Sequence, residues 1–113
     1  PIYYYRPPFG DPWFSSSKNK EIQKEKVRKV VSDRNGMVIL WQLYAGDTRA
    51  KVTDESIVKL AKQSLRERKG GLYCLHDNNG RTVRALPKIL NYLKEENMRF
   101  ASIEELLHLK YFI

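Results

Sequence analysis

Residues 71–80 read GLYCLHDNNG, and this stretch decides how the rest of the chain is organised. Leu72, Tyr73, Cys74 and Leu75 form an apolar run of strand length. His76 and Asp77 follow at once, and a Gly/Asn turn closes the segment. Two readings are open. Strands that reach the surface end in polar residues, which needs no further cause. Alternatively, the carboxyl end of a parallel strand is where α/β proteins keep their chemistry. The neighbouring segments have to decide between them.

Immediately upstream, Ile57, Leu60, Ala61 and Leu65 recur at helical spacing. Thr53 is placed to cap that helix, with Asp54 and Glu55 in its first turn. Arg66, Arg68 and Lys69 crowd its last turn, and Gly70-Gly71 stops it. Before it, MVILWQLY (37–44) is nearly continuous in apolar and β-forming residues, which predicts a strand covered on both faces. Further upstream, Ile22, Val27, Val30 and Val31 predict one face of a helix over 21–32. The serines at 15–17 suit its start, and Asn35-Gly36 suits its end. PIYYYRPPF (1–9) predicts an aromatic strand that stops at Pro7-Pro8.

Downstream, Thr82 is expected to cap a third helix, with Val83, Leu86, Leu90 and Leu93 on one face. Pro87 falls early enough there to be tolerated. RFASI (99–103) predicts a short fourth strand, and Ser102 a cap for a final helix. The order is β-α-β-α-β-α-β-α. The expected fold class is therefore α/β, built of parallel βα units. Right-handed crossovers put the loops after Tyr5, Tyr44, Leu75 and Ala101 on one rim.

A chain of 113 residues is one domain or part of one. It starts at Pro1 without a Met, as expected of a trimmed or truncated chain. Hydrophobic residues make up 42% and charged residues 30%, an ordinary globular balance. No stretch approaches the roughly 20 apolar residues of a membrane span. The net charge of +8 invites an anionic partner. Its lysines and arginines alternate with glutamates along helical stretches, as solvated helix faces do. A nucleic-acid reading would rest on charge alone and is set aside. Cys74 is the single cysteine, which excludes an intrachain disulfide and fits a buried core thiol.

Several rim residues can carry chemistry. Arg6 ends the first strand, where a guanidinium can clamp a carboxylate or simply face solvent. Pro7-Pro8-Phe9-Gly10 is a stiff turn able to aim a backbone N–H at a ligand oxygen. His76 can act as general acid or base, and can equally be structural. His108, in the last helix, receives no role. Two histidines on different elements make no zinc site, and no Gly-rich phosphate loop or nucleophile elbow is present.

Taken together, YYYRPPFG, VILWQLYAGD and LYCLHDNNGRTVRALPKILNYLKEENMRFASIEELL resemble the C-terminal half of the polysaccharide deacetylase family, the NodB homology domain. The last stretch is the strongest match, and the resemblance spans nearly all of residues 1–113. It implies the C-terminal half of a distorted (β/α) barrel within a catalytic domain. It also implies metal-dependent hydrolysis of acetyl groups from a polysaccharide or glycan, in a secreted or cell-envelope setting. His76 would be the general acid, Arg6 would orient a base aspartate, and the Phe9 N–H would be the oxyanion donor. Leu75 would line the acetyl pocket, with Pro8, Trp41 and Asp47 also on the substrate side. Asp77 would be mainly structural.

Two departures from that family follow. Its metal ligands and base lie upstream of the Arg-Pro-Pro turn, so this chain is expected to hold no metal. The divalent metal, zinc by resemblance, belongs to the intact enzyme. The partner of this chain is then the missing N-terminal half or a second copy. Secondly, the aspartate that tunes the histidine and a tryptophan four residues later are replaced by Tyr44 and Thr48, with Asp47 retained between them. His76 is therefore expected to lack a nearby carboxylate. A non-catalytic carbohydrate-binding relative with a degenerate barrel is the alternative function.

Overall fold

Three consecutive tyrosines favour extended backbone, and β1 spans Tyr3–Tyr5. The computed structural model describes residues 2–112. By internal contacts the chain divides into two units, Pro1–Gln42 and Leu43–Ile113.

In the first unit, β1 pairs in parallel with β2 (Gly36–Val38), setting Tyr3 beside Gly36 and Tyr5 beside Val38. Their connection contains α1, Lys20–Ser32, so the unit is a βαβ. The serines do not cap α1. The Ser17 hydroxyl accepts the Asn19 N–H, and the Ser15 hydroxyl accepts the Ser17 N–H, so they build a turn ahead of the helix. The apolar stripe of α1 also departs from expectation. None of its residues is buried, and Ile22 and Val30 are 60% and 53% exposed. Val27, Val30 and Val31 instead border, with the tyrosines of β1, an open cavity of ≈ 730 Å³.

The strand expected over 37–44 is broken. Pairing with β1 ends where the Ile39 N–H bonds the Tyr5 carbonyl, and β3 begins only at Leu43, running to Tyr44. Pro7 and Pro8 carry no N–H, so the chain just after Arg6 has no donors with which to continue the pairing. The Arg6 side chain donates to the carbonyls of Ile39 and Leu40, groups that a continuing ladder would have used.

In the second unit, β3 pairs in parallel with β4 (Tyr73–Cys74), with Leu43 beside Tyr73 and Tyr44 beside Cys74. Helix α2, Asp54–Arg68, connects them. Thr53 and Ser56 exchange side-chain and backbone hydrogen bonds at its start, and Lys69 ends it in a left-handed conformation before Gly70. Ile57, Val58, Ala61 and Leu65 of α2 pack with Leu43 and Ala45 and with Ala85, Ile89 and Tyr92 of α3. Cys74 is buried there, as its apolar setting predicts.

Helix α3 spans Gly80–Glu95 and runs unbroken through Pro87. Asn79, not Thr82, caps it, accepting the Arg81 N–H. Its buried face is Thr82, Ala85, Ile89 and Tyr92, while Val83 and Leu86 are exposed. The buried face is thus one residue before the expected stripe at every position, because the helix turns Thr82 inward. RFASI forms no strand, and Phe100 is 54% exposed. Helix α4, Ile103–Phe112, is capped at Ser102, whose hydroxyl accepts the Glu105 N–H while Glu105 accepts the Ser102 N–H.

Candidate active site

The parallel pairing of β3 and β4 sends both strands toward the same end, where AGDT follows one and HDNN the other. There the structure brings Asp47 and His76 together. Asp47 is fully buried, whereas the His76 side chain is 40% exposed. The Asp47 Oδ1 lies 3.0 Å from His76 Nδ1. A carboxylate only accepts, so Nδ1 carries the hydrogen and Nε2 is left for other work. The second oxygen, Oδ2, accepts the His76 backbone N–H at 2.8 Å and the Thr82 hydroxyl at 2.9 Å.

Two expectations change here. Asp47, expected on the substrate side, is 0% exposed and does not reach an open surface. Its carboxylate bonds both the ring and the backbone of His76 instead. The expected loss of a carboxylate partner for His76 is corrected for the same reason: Asp47 supplies that partner from three residues beyond Tyr44. Tyr44 and Thr48, the two departures, are hydrogen-bonded to each other through their hydroxyls.

The surrounding loop is tied to the start of α3. Asn79 Nδ2 donates to the Asp47 carbonyl at 2.8 Å, and Arg81 Nη1 donates to the Val52 carbonyl at 2.9 Å. Gly46 adopts φ 67°, and an added Cβ would meet Leu60 and Arg49 at 3.3 Å. Leu75 packs against the core and lines a cavity of ≈ 650 Å³ together with Ile89, Leu93 and Phe100. Tyr73 lines the same cavity. Burial pushes its phenol well above the ordinary tyrosine range, and the Asp47 charge adds to the shift. The Tyr73 hydroxyl is buried without a hydrogen-bond partner among the described residues. Asp77 is exposed.

The first unit carries Arg6, Pro8, Phe9 and Trp41. Trp41 is the hub. The Arg6 guanidinium lies 5.4 Å from its ring centre, and Phe14 meets it edge-on at 5.0 Å. Gly10, at φ 71°, closes the turn beneath them. A Cβ there would sit 2.3 Å from the Phe14 ring and 3.0 Å from Trp41. Phe9 is a non-glycine residue at φ 59°, and its ring is 88% exposed. Left-handed backbone at an aromatic residue costs about 1–2 kcal/mol and is concentrated at functional turns. Pro7 is buried and Pro8 exposed.

Thr82 and Asn79 are the site residues that sequence reasoning missed. The available signal was topological: parallel strands put AGDT and HDNNGRT at one end, so a buried threonine early in α3 has a carboxylate within reach. Among the described residues, no group of three His, Cys, Asp or Glu converges to hold a metal ion. Among the described residues, no helix is long and apolar enough to cross a membrane.

Comparison with protein-family models gives no match to this chain, and a search of curated proteins also returns none.

Proposed function

We propose that this chain belongs to a carbohydrate deacetylase, with its two βαβ units forming the C-terminal half of a distorted (β/α) barrel. The observation that carries the reading is the buried Asp47 beneath a half-exposed His76 at the carboxyl end of two parallel strands. Asp47 keeps the imidazole hydrogen on Nδ1. To act as general acid Nε2 must carry a hydrogen as well, so the donating form is the imidazolium, with its Nδ1–H on Asp47. The Nε2 proton passes to the departing amine nitrogen as the acetyl C–N bond breaks, water supplies the new oxygen on the acetyl carbon, and the products are acetate and the free amino sugar. The stiff turn at Pro7–Gly10 supports the assignment of the Phe9 N–H as oxyanion donor. The resemblance places the water-activating metal and base in an upstream half, and no step is assigned to a metal through residues of this chain.

The test is acetate release from an acetylated chito-oligosaccharide by the intact protein. An amine leaves poorly unless protonated, whereas the phenolate of an activated aryl acetate leaves readily. His76→Ala is expected to lower amide deacetylation by about 10²–10⁴-fold and aryl acetate hydrolysis much less. Equal losses on both substrates, tracking thermal unfolding, would remove the general-acid assignment. Glycan binding without acetate release from either substrate would favour the carbohydrate-binding alternative.

A further inference from the structure

We propose that Thr82 is a positioning residue whose hydroxyl holds the Asp47 carboxylate in the one orientation that fixes the His76 ring tautomer. Only the activity arm of its test rests on the deacetylase reading above.

The geometry leads there in three steps. A lone carboxylate–imidazole contact fixes little, because the carboxylate can rotate about its terminal torsion, which is broad and roughly two-fold. At Asp47 that freedom is removed. Oδ2 accepts two donors, the His76 backbone N–H at 2.8 Å and the Thr82 hydroxyl at 2.9 Å, and this turns Oδ1 toward Nδ1 at 3.0 Å. The backbone beneath the carboxylate is held separately, by Asn79 Nδ2 on the Asp47 carbonyl. Thr82 itself cannot drift. It lies in the first turn of α3, is 4% exposed, and packs beside Ala85 on the buried face.

The placement explains why a hydroxyl occurs on the most buried side of a helix. A valine there would fill the same volume, but Oδ2 would keep one donor and a buried lone pair would lose its partner, at a cost of desolvation. With the carboxylate less constrained, the ring is free to take the Nε2-protonated tautomer that neutral histidine prefers in water. In that form Nδ1 has no hydrogen to give Oδ1. Partners one step removed from a reactive group characteristically act in this way, by fixing its tautomer and orientation.

The experiment compares Thr82→Val, Thr82→Ser and Thr82→Ala in the intact protein. Nitrogen-15 chemical shifts of His76 report the tautomer, and acetate release reports activity. Wild type and Thr82→Ser are expected to show the Nδ1–H form. Thr82→Val and Thr82→Ala are expected to move His76 toward the Nε2–H form. They should also lower kcat for the amide substrate by about 10-fold with KM little changed. Alanine serves if valine does not fold, since it removes the hydroxyl without adding a methyl. An Nδ1–H population unchanged in Thr82→Val, or in Thr82→Ala where valine fails, overturns the proposal. So does loss of activity in Thr82→Ser equal to that in Thr82→Val. A tautomer shift in a protein that releases no acetate in any form supports the clamp and counts against the deacetylase reading alone.

Discussion

The second unit encloses an apolar core drawn from β3, α2 and α3, whereas helix α1 of the first unit buries none of its residues. The two candidate sites inherit that difference. Asp47 is sealed by the packing of its unit, and His76 takes its orientation from a buried acceptor. The Arg6–Gly10 turn is organised by near neighbours instead: one tryptophan ring, one phenylalanine edge and a glycine in left-handed backbone. One site is positioned by a core and the other by a local lock. Substitutions should therefore act on the two through different routes.

The largest contrast is expected in the cores. Ile57 is fully buried, so Ile57→Ala should destabilise the Leu43–Ile113 unit by about 2–5 kcal/mol. Val30 is 53% exposed, and Val30→Ala should change the first unit by no more than about 0.5 kcal/mol. The probes separate conveniently, because both tryptophans, Trp13 and Trp41, fall within the first unit. Urea unfolding followed by tryptophan fluorescence, alongside hydrogen exchange of α2 amides, reads each unit. Equal losses in the two variants would collapse the contrast.

Next in size is the local lock. Gly10→Ala puts a side chain on a backbone at φ 71° and drives it against the Phe14 ring. A cost of about 1–2 kcal/mol is expected from the backbone alone. The near-ultraviolet signal of Trp41 should change with it, while α2 exchange stays as in wild type. An unaltered tryptophan signal would show that Trp41, rather than Gly10, sets the turn.

How far these features could be read from residues alone follows a different division, between partners near and far in the chain. The cap at Thr53, the buried Cys74 and the histidine just past a strand all rest on neighbours close in sequence, and the structure has each of them; α2 also ends before Gly70-Gly71, although Lys69 rather than a glycine takes the left-handed position. What escaped rests on partners far apart. The break in 37–44 lies where Arg6, more than thirty residues away in the chain, donates to carbonyls that a ladder would have used. Asp47 reads as a loop residue until His76, 29 positions later, is placed beside it. Thr82 reads as a cap because threonines often are caps, and its true acceptor lies 35 residues upstream. Residue patterns record periodicity and local hydrogen bonding well; they do not record which loop a parallel pairing brings alongside.

A smaller effect, of opposite sign, is expected at Tyr73. Its hydroxyl is buried with no partner among the described residues. Removing an unpaired polar group from such a place is favourable, so Tyr73→Phe should raise the stability of the second unit by up to about 1 kcal/mol. Chemical denaturation read by α2 exchange checks it. A clear loss of stability would mean that the hydroxyl has a bridging water, and that the core of this unit is wetter than its packing implies.

The smallest effect separates the two units by their surface charges. In α1, Glu21 accepts a hydrogen bond from Lys24, which holds its carboxyl below the usual range. In the second unit, Asp54 at the start of α2 takes two hydrogen bonds from Arg84 of α3, and that guanidinium holds Asp54 down in the same way. Both carboxyls have folded values below their unfolded ones. Their contributions are therefore fully present above the ordinary carboxylate range of about pH 4 and are lost as pH falls through the lower folded values. The two pairs differ in reach. Glu21–Lys24 lies within one helix and can persist wherever that helix forms. Asp54–Arg84 joins two helices across 30 residues and exists only when the unit is folded. Asp54→Asn should therefore flatten the acid limb of the second unit's stability against pH, and Arg84→Ala should flatten it equally. Glu21→Gln should leave that limb unchanged. Added salt should shrink the Asp54 effect, since the pair is at the surface. The measurement is the unfolding midpoint of each variant between pH 6 and about pH 3, read by exchange in α2. If Asp54→Asn runs parallel to wild type throughout, the bidentate pair contributes nothing to the packing of α2 on α3. The stability of the second unit would then rest on its apolar core alone.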